Sequence, residues 1–199
     1  MAPQYFDNVG GMSHQDITFE CEVLGRKYSF KSDKGVFSSH ELDLGSKIMI
    51  ETIATLDLGE KILDLGCGVG PIGLILASFD PKRSLTLSDV NERALDLTRE
   101  NARHMGLASR CTVVESDVYL HLDSLFDSIV SNPPIRAGKK VTYAIYDGAP
   151  PHLREGGSLY VVVRRKQGAE SVYVPLQGLF PSVAILEKKK GYWIIKASK

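Results

Sequence analysis

The segment 126–140, FDSIVSNPPIRAGKK, ends a hydrophobic run in the tripeptide Asn132-Pro133-Pro134. Neither proline has an N–H to donate to a sheet ladder, so the tripeptide predicts the abrupt end of a strand. The Asn132 side-chain oxygen and the Pro133 carbonyl are two acceptors that could hold both hydrogens of an amine. Because proline fixes φ, the second acceptor is aimed before a ligand binds. The tripeptide is therefore either a strand-ending turn or a site for an amine. The motifs that precede it in the chain indicate which of the two is the better interpretation.

A glycine-rich segment, LDLGCGVGPIG at 63–73, lies between an apolar run that predicts a strand and one that predicts a helix. Glycine lets a backbone approach a ligand more closely than any other residue does. The spacing also satisfies GxGxxG, a fingerprint of dinucleotide binding that is weak on its own. Asp89 ends the next predicted strand, at about the 20-residue distance expected of an acid that binds a ribose. The pattern indicates an adenosine-containing ligand. The glycines concerned are Gly66, Gly68, Gly70 and Gly73.

Three features favour S-adenosylmethionine (SAM) over a dinucleotide. Asp64 lies inside the strand before the glycines, where a carboxylate could hold a methionine ammonium but would repel a pyrophosphate. Asp117 ends the third predicted strand, where it could accept a hydrogen bond from an adenine amine. The C-terminal hairpin is foreign to an all-parallel nucleotide-binding sheet. Each acid has a structural alternative, because Asp also caps strand ends and helix N-termini. Together they predict a SAM site formed by Asp64, Gly66, Cys67, Gly68, Gly70, Asp89, Val90, Asp117, Val118 and Asn132.

The elements that must position these residues alternate along the chain. Five apolar runs, KILDL, SLTLSD, CTVVES, FDSIVS and SLYVVV, predict strands, and helical patterns separate most of them. Such alternation implies right-handed βαβ units and a parallel sheet covered on both faces. The segment SVAILEKKKGYWIIKAS closes the chain as a hairpin. We predict one α/β domain over 1–199, with a Rossmann-like, seven-stranded mixed sheet whose last strand is antiparallel and with helices on both faces. Residues 1–45 would form a small N-terminal β-hairpin extension, and 46–199 the SAM-binding catalytic core.

A few residues mark the predicted helix boundaries. Ser46 is the predicted N-cap of the first helix. Pro71 stands at the first position of the second helix, where a missing N–H costs little. Asn91 caps the third helix and Gly106 ends it. Pro150-Pro151 must interrupt the helix that begins in VTYAIYD.

The composition is that of an ordinary globular protein, with 43% hydrophobic and 24% charged residues among 199. Basic and acidic residues are equal at 24 each, so any polyanion must be held by local patches. The three cysteines lack CxxC spacing and the five histidines lack ligand spacing, which predicts reduced thiols and no metal site. No secretory signal or membrane-spanning run is visible, so we expect a cytoplasmic protein with no membrane partner.

With these motifs, the chain resembles the class I SAM-dependent methyltransferases. ILDLGCGVGPIG is similar to their first motif, LSDVNERAL to the second, ESDVY to the third, and SNPPI to the fourth. The fourth motif marks enzymes that methylate a planar amine or amide nitrogen. GVFSSHELDLGSKIMIE and FDSIVSNPPIRAGK further resemble the RsmC-type ribosomal RNA guanine methyltransferases, from about residue 30 onward. The relatives known best carry a further N-terminal domain, so we expect this chain to be a stand-alone catalytic unit.

The resemblance implies SAM-dependent methyl transfer to the exocyclic amino group of guanine in small-subunit ribosomal RNA. The implied partner is ribosomal RNA or the small ribosomal subunit, bound by a monomer or weak dimer. Asn132, Pro133, Pro134 and Ile135 would be the catalytic residues. Ile135 stands at a position that is often aromatic in such enzymes, so its aliphatic face would have to sandwich the target base.

Substrate contacts are expected on both sides of the SAM motifs. Phe37 would cover the SAM pocket or the base, or else pack the hairpin on the domain. Arg136, Lys139 and Lys140 form a basic loop after Asn132 that suits RNA phosphates, or else a solvated loop. VRRKQ at 163–167 and EKKKG at 187–191 are further basic segments, although lysines on an edge hairpin also prevent edge-to-edge association.

Three other interpretations stay open on the sequence alone. The Asn-Pro-Pro chemistry would serve equally for an adenine amine or a protein glutamine amide. A SAM- or nucleotide-binding regulatory module is a non-enzymatic alternative, against which the intact tripeptide argues. A dehydrogenase would be indicated by NADH binding in the absence of SAM binding.

Overall fold

Strands and helices follow one another in the computed structural model, which describes residues 16–34, 40–133 and 139–199. The strands are β1 Asp16–Val23, β2 Arg26–Asp33, β3 Lys61–Leu65, β4 Ser84–Asp89, β5 Cys111–Glu115, β6 Phe126–Ser131, β7 Leu153–Arg164, β8 Ser182–Lys189 and β9 Tyr192–Ser198. The helices are α1 Leu44–Ile53, α2 Pro71–Ser78, α3 Glu92–His104, α4 Lys139–His152 and α5 Ala169–Leu179. Short 3-10 turns cover Ala108–Arg110 and Arg165–Gln167.

Seven strands form one mixed sheet in the order β5-β4-β3-β6-β7-β9-β8. The strands from β3 to β7 are parallel, whereas β9 runs antiparallel to both of its neighbours. The predicted seven-stranded sheet with an antiparallel last strand is therefore confirmed. The strand order changes direction at β3, which pairs with β4 on one side and β6 on the other. Ligands of open α/β sheets bind at such a switch point, outside the carboxyl ends of the strands.

Hydrophobic side chains pack on both faces of this sheet. Successive side chains of a strand point to opposite faces, so β3 contributes Ile62 to one cluster and Leu63 to the other. Helices α1, α2 and α3 cover the first face, and α4 and α5 cover the second. None of the described helices is long and apolar enough to cross a membrane. The described residues also contain no group of three His, Cys, Asp or Glu side chains that could hold a metal ion.

Most predicted helix boundaries are confirmed, and the first is corrected. Pro71 is the first residue of α2, and the Asn91 side chain accepts a hydrogen bond from the backbone of α3. Gly106, with φ of 69°, follows the end of α3. The prediction for α1 was wrong, because its N-cap is Asp43 and not Ser46. The Asp43 carboxylate accepts a hydrogen bond from the Ser46 N–H at 2.9 Å, so the helix begins at Leu44.

Helix α4 runs through Pro150 and Pro151 instead of being interrupted by them. The two prolines lie in its last turn, so only the final helical hydrogen bonds are lost. Upstream of them, Ile145, Tyr146 and Ala149 are buried against the sheet and hold the helix in place. Packing therefore outweighs the local penalty, and the chain enters β7 directly after His152.

The N-terminal hairpin of β1 and β2 forms a separate two-stranded sheet, as predicted. Its turn residues, Leu24 and Gly25, both have positive φ. Phe19 and Phe30 stack with ring centroids 5.5 Å apart, and both rings belong to the hydrophobic cluster on the first face of the main sheet. The hairpin is thus packed on the domain.

Candidate active site

The loop between β3 and α2 is the predicted glycine-rich segment. Gly66, Gly68 and Gly70 have φ of 74°, 57° and 86°, in the region that favours glycine. The N–H groups of Gly66 and Cys67 both donate to the Ser88 carbonyl, at 2.8 and 2.9 Å, and fix the loop to β4. Apart from the glycine itself and its two chain neighbours, no described heavy atom lies within 4 Å of a Cβ placed on Gly66 or Gly68. The loop therefore presents bare backbone to open space at the carboxyl edge of the sheet.

Asp64 is buried in β3 and joins this strand to the first turn of α2. Its Oδ2 accepts a hydrogen bond from the Gly73 N–H at 2.8 Å. Asp64 therefore does cap a helix N-terminus, which was the structural alternative to a role in ligand binding. Its Oδ1 has no hydrogen-bond partner among the described residues. Burial raises the pKa of Asp64 to about 7 against the effect of the Gly73 bond, and the charge of Asp89 adds to the rise. A buried polar atom without a partner is costly, and a ligand N–H would complete its bonding.

Asp89 is the last residue of β4, as predicted, and its carboxylate turns towards the glycine loop. Oδ2 accepts a hydrogen bond from the Gly68 N–H at 2.9 Å, and Oδ1 accepts one from the Asn91 N–H at 3.0 Å. Burial raises the pKa of Asp89, although these backbone bonds oppose the shift. Val90 follows it and is half-buried. The carboxylate lies where it could also accept bonds from ribose hydroxyls.

Cys67 is a buried residue of the loop itself, and its side chain lies next to Thr98 of α3. Its Sγ lies 4.0 Å from the Thr98 Oγ1, and that hydroxyl donates to the Gly68 carbonyl at 2.8 Å. Burial raises the pKa of the Cys67 thiol well above its usual range, and the carboxylates of Asp64 and Asp89 add to the rise. A neutral, buried thiol is a packing group and not a nucleophile.

Asp117 does not end a strand, which corrects the sequence prediction. β5 ends at Glu115, and Asp117 lies two residues further on, exposed in the turn that follows. Val118 in this turn has a φ of 52°. The Ser116 N–H donates to the Asp89 carbonyl at 3.0 Å, so the turn remains beside the end of β4. Asp117 and Val118 therefore stay at the predicted edge of the sheet, beyond β5 instead of within it.

Asn132 follows the last residue of β6 and is held through its side-chain amide. Its Nδ2 donates to the Asp43 Oδ1 at 2.8 Å and to the Ser46 Oγ at 2.9 Å. These two bonds use both amide hydrogens. The amide oxygen is therefore turned away from Asp43, because a carboxylate attracts the NH₂ group and repels the carbonyl. Pro133 is buried directly after it.

The glycine loop and Asn132 lie at the same edge of the sheet. β3 and β6 are neighbouring parallel strands, with Asp64 opposite Val130. Gly66 and Asn132 each follow this pair by two residues. The structure thus brings together the loop, Asp64 and Asn132 as the motif order predicts.

Several predicted site residues fall outside the described residues or change element. Phe37, Pro134, Ile135 and Arg136 lie outside the described residues, and so does the side chain of Lys139. Lys139 and Lys140 are the first residues of α4 and not part of a loop, which corrects the prediction of a basic loop there. Lys140 is exposed at this helix start.

Two residues of the site were missed by sequence reasoning. The sequence pattern predicts no role for Asp43 in the site and predicts Ser46 only as a helix cap. Their spacing is a visible N-cap signal, since Asp43 precedes Ser46 by three residues. The pattern gives no sign that both side chains also contact Asn132, because that contact joins segments 89 residues apart.

Comparison with known proteins identifies a family and several relatives. The sequence model of one family, described as "Methyltransferase small domain", matches residues 27–196. A Bacillus subtilis protein described as uncharacterized, YbxB, is 42% identical over 201 residues, with 100% of both chains covered. Ribosomal RNA small subunit methyltransferase C of Aeromonas hydrophila is 37% identical over 148 residues, which cover 72% of this chain and 42% of that protein.

A solved structure shares the fold and part of the sequence. It is described as a T. thermophilus 16S rRNA N2 methyltransferase, RsmC, in complex with AdoMet and guanosine. It superimposes with a TM-score of 0.82 at 26% identity and covers 92% of this chain and 50% of that one. The chain spans about half the length of the ribosomal RNA methyltransferases it matches. From the extent of the family match, the chain belongs to the methyltransferase small domain family, whose members use SAM.

Proposed function

We propose that this protein transfers a methyl group from SAM to the exocyclic amino group of guanine in small-subunit ribosomal RNA. The observation that carries the proposal is the state of Asn132 at the end of β6. Both hydrogens of its amide are engaged by Asp43 and Ser46, so its oxygen is presented as an acceptor. A fixed acceptor beside the glycine loop suits a substrate that brings an N–H group.

The residues around the glycine loop fit SAM. The unpaired Oδ1 of Asp64 suits the ammonium of the methionine part, and Asp89 suits the ribose hydroxyls. The bare backbone at Gly66 and Gly68 leaves space for the ligand. Asp117, exposed after β5, stays a proposed contact for the adenine amine. When bound, SAM supplies a methyl group that its sulfonium already activates.

Asn132 and Pro133 prepare the amine for attack. An exocyclic amine conjugated to a base is a poor nucleophile, and its lone pair becomes available when acceptors hold both hydrogens. The Asn132 oxygen and the Pro133 carbonyl supply these acceptors and would hold the nitrogen about 3–3.5 Å behind the methyl carbon. Transfer would form a bond between this nitrogen and the methyl carbon as the bond from that carbon to sulfur breaks, and the excess proton of the amine would pass to water. The reaction therefore needs no general base, but the target base must leave its stack.

The choice of guanine in RNA is supported by the relatives. The T. thermophilus protein is described as an N2 methyltransferase of 16S rRNA, in complex with guanosine. The Aeromonas relative is described as a small subunit methyltransferase. An adenine amine or a protein glutamine amide would use the same Asn132 acceptor, so the experiment must separate these three substrates.

Methyl-labelled SAM identifies the substrate directly. The protein is incubated with labelled SAM and, separately, with total RNA, isolated ribosomal subunits, DNA and a protein extract. We expect label in the RNA of the small subunit, and nuclease digestion should release it as guanosine methylated on its exocyclic amine. Label in adenosine or in protein alone would overturn the proposal.

The same assay on Asn132→Ala tests the observation behind the proposal. Loss of the acceptor should lower turnover by roughly 10²–10³-fold, while the affinity for SAM, measured by calorimetry, stays near that of the wild type. Unchanged turnover in this variant would show that Asn132 is only part of a strand-ending turn.

A further inference from the structure

Two basic segments that are distant in sequence meet at the end of β7. The Arg165 N–H donates to the Gly191 carbonyl at 2.8 Å, and Arg164 lies opposite Tyr192 in the ladder of β7 and β9. The 3-10 turn after β7 therefore lies against the turn between β8 and β9. We call this surface the basic edge. Its exposed cationic residues are Arg164, Arg165, Lys166, Lys188, Lys189 and Lys190.

The basic edge lies at the carboxyl end of the parallel strands, as Asn132 does. Ser131 is opposite Val161 in the ladder between β6 and β7. β7 continues beyond this level and ends at Arg164, which adds a rise of about 10 Å. A polynucleotide that crosses the end of β6 in the direction of β7 therefore meets the basic edge.

Tyr192 connects the basic edge with the residues that hold Asn132. The Arg164 guanidinium lies 5.8 Å from the centroid of the Tyr192 ring. The same ring packs against Gly45, where an added Cβ would come within 2.8 Å of it. Gly45 belongs to the segment 43–46, whose side chains accept both hydrogen bonds from the Asn132 amide. One ring thus separates the basic edge from the candidate active site.

The cations of the basic edge are only partly engaged by the rest of the protein. Lys189 pairs with Glu51 at 3.2 Å. The Lys188 ammonium lies 4.1 Å from the centroid of the Trp193 ring, and the Arg164 guanidinium lies over the Tyr192 ring. The remaining three have no ion-pair partner among the described residues, namely Arg165, Lys166 and Lys190. Half of the cluster is therefore available to an outside anion.

Protection of an exposed sheet edge explains only part of this cluster. Lysines commonly serve that purpose, and β8 is an edge strand that carries Lys188 and Lys189. Lys190 lies in the turn, however, and Arg165 and Lys166 follow β7, which has neighbours on both sides. The chain as a whole is neutral. Six cations beside two acids, Glu51 and Glu187, leave this edge with a net positive charge that attracts a polyanion.

We propose that the basic edge binds the phosphates of the RNA whose base enters the pocket at Asn132. The inference rests on the proposed function, because it names the surface that holds the same RNA. Phosphate contacts supply affinity and register but no sequence information. The basic edge would therefore fix the RNA backbone and leave the choice of base to the pocket.

The test replaces the three cations without an ion-pair partner in one variant, R165Q/K166Q/K190Q. A matched control, K27Q/K61Q/K82Q, removes the same charge from exposed lysines away from this edge. Both variants and the wild type are titrated with a labelled RNA hairpin at several salt concentrations, and KM for ribosomal subunits is measured with SAM saturating. The loss of three phosphate contacts should make the negative slope of log affinity against log salt shallower by about 2. KM should rise, while kcat and SAM affinity stay unchanged.

Each outcome decides one of the two proposals. Equal losses in the control and in the basic-edge variant, or an unchanged salt slope and KM in the latter, would overturn the basic edge and leave the proposed function intact. A wild type that transfers no methyl group to any RNA would overturn the proposed function, and the basic edge with it. Binding to anionic phosphatidylserine vesicles but not to the RNA hairpin would show that the surface serves a membrane instead.

Discussion

The side chain of Asn132 takes its orientation from a segment 89 residues earlier in the chain. The Asp43 Oδ1 accepts the Ser46 N–H at 2.9 Å and the Asn132 Nδ2 at 2.8 Å. One carboxylate oxygen thus caps α1 and orients the amide at the end of β6. Such a bond from amide to carboxylate is stronger than one between neutral groups. We therefore regard Asp43 as a positioning residue that acts through Asn132.

Substitution of Asp43 should separate its two roles. Asp43→Ala leaves the Asn132 amide free to rotate, so we expect kcat to fall by roughly 10²-fold. Loss of the helix cap should also cost about 1 kcal/mol of stability. Asp43→Asn keeps an oxygen that can accept both hydrogen bonds and is itself a good N-cap, so it should restore most of kcat and stability. The measurements are kcat and KM for RNA, with urea unfolding in parallel.

The two Asp43 variants together distinguish a positioning residue from a helix cap. If Asp43→Ala is less stable but keeps its kcat, then Asp43 is only a helix cap. If Asp43→Asn is as inactive as Asp43→Ala although it folds as stably as the wild type, then orientation of the amide by an acceptor is not what matters. The proposed role requires that kcat falls in one variant and is rescued in the other.

The sequence predicts correctly where a candidate site residue lies when that residue stands at or next to the end of a strand. Asp64, Asp89 and Asn132 lie at the predicted edge, because their positions follow from βα succession alone. The prediction that Asp117 ends a strand was wrong, because a short apolar run does not show where the hydrogen bonding of a strand stops. Asp43 could not be found, since its contact with Asn132 exists only once the chain has folded.

Among the elements, β3 and α2 are joined by the carboxylate of Asp64. Helix α2 has Gly70 as its N-cap, which offers no side-chain hydrogen bond. The cap is supplied from the strand instead, where Asp64 accepts the Gly73 N–H. This arrangement places a buried acid at the glycine loop and makes the packing of the strand and helix sensitive to its charge.

The pKa of Asp64 predicts how stability depends on pH. Its folded pKa of about 7 exceeds the usual value of about 3.9, so the folded state binds the proton more tightly. The resulting stability is fully present below about pH 4 and is lost as pH rises through 7. Asp64→Asn keeps an acceptor for Gly73 without a charge, so in urea unfolding of the SAM-free protein its stability relative to the wild type should grow from pH 5 to pH 8.

Asp64→Asn should have the opposite effect on SAM binding: it should raise the stability of the SAM-free protein but lower the affinity for SAM. The ionised carboxylate should favour the ammonium of SAM, so Asp64→Asn should bind SAM more weakly, with the larger loss at pH 8. Asp96→Asn is the matched control, because Asp96 is exposed on α3 and pairs only locally with Arg99. A difference in stability that does not change between pH 5 and pH 8 would contradict the burial of an ionisable Asp64.

Element order could be predicted because each strand and helix carries its own apolar pattern. Two boundaries were predicted wrongly, one because of tertiary packing and one because of a local cap. Pro150 and Pro151 locally oppose a helix, yet α4 ends only after them because Ile145 and Tyr146 are buried on the sheet. The start of α1 depended on which of two polar residues, Asp43 or Ser46, captures the first free N–H.

On the scale of the whole molecule, Asn101 joins the hairpin, α3 and the glycine loop. Its Oδ1 accepts the Lys31 N–H at 2.8 Å, and its Nδ2 donates to the carbonyls of Lys31 and Val69 at 3.0 and 2.9 Å. The side chain is fully buried. The hairpin that the sequence predicts as an extension is therefore joined through Asn101 to the glycine loop, the proposed SAM site, and we expect both to unfold together.

Asn101→Ala tests this coupling. The substitution leaves three backbone groups without their partner, so it should cost roughly 2–4 kcal/mol and weaken SAM binding through the loosened loop. Lys31→Ala is the control: it removes the exposed ion pair with Glu100 but keeps the backbone bonds, and should cost less than about 1 kcal/mol. Hydrogen exchange in the wild type should show amides of β2 exchanging with the same free energy as those of β3. Hydrogen bonds from one buried side chain to both elements should not let the hairpin open without the glycine loop. If β2 exchanges at a much lower free energy than β3, and if Asn101→Ala keeps its SAM affinity, the hairpin is an independent appendage.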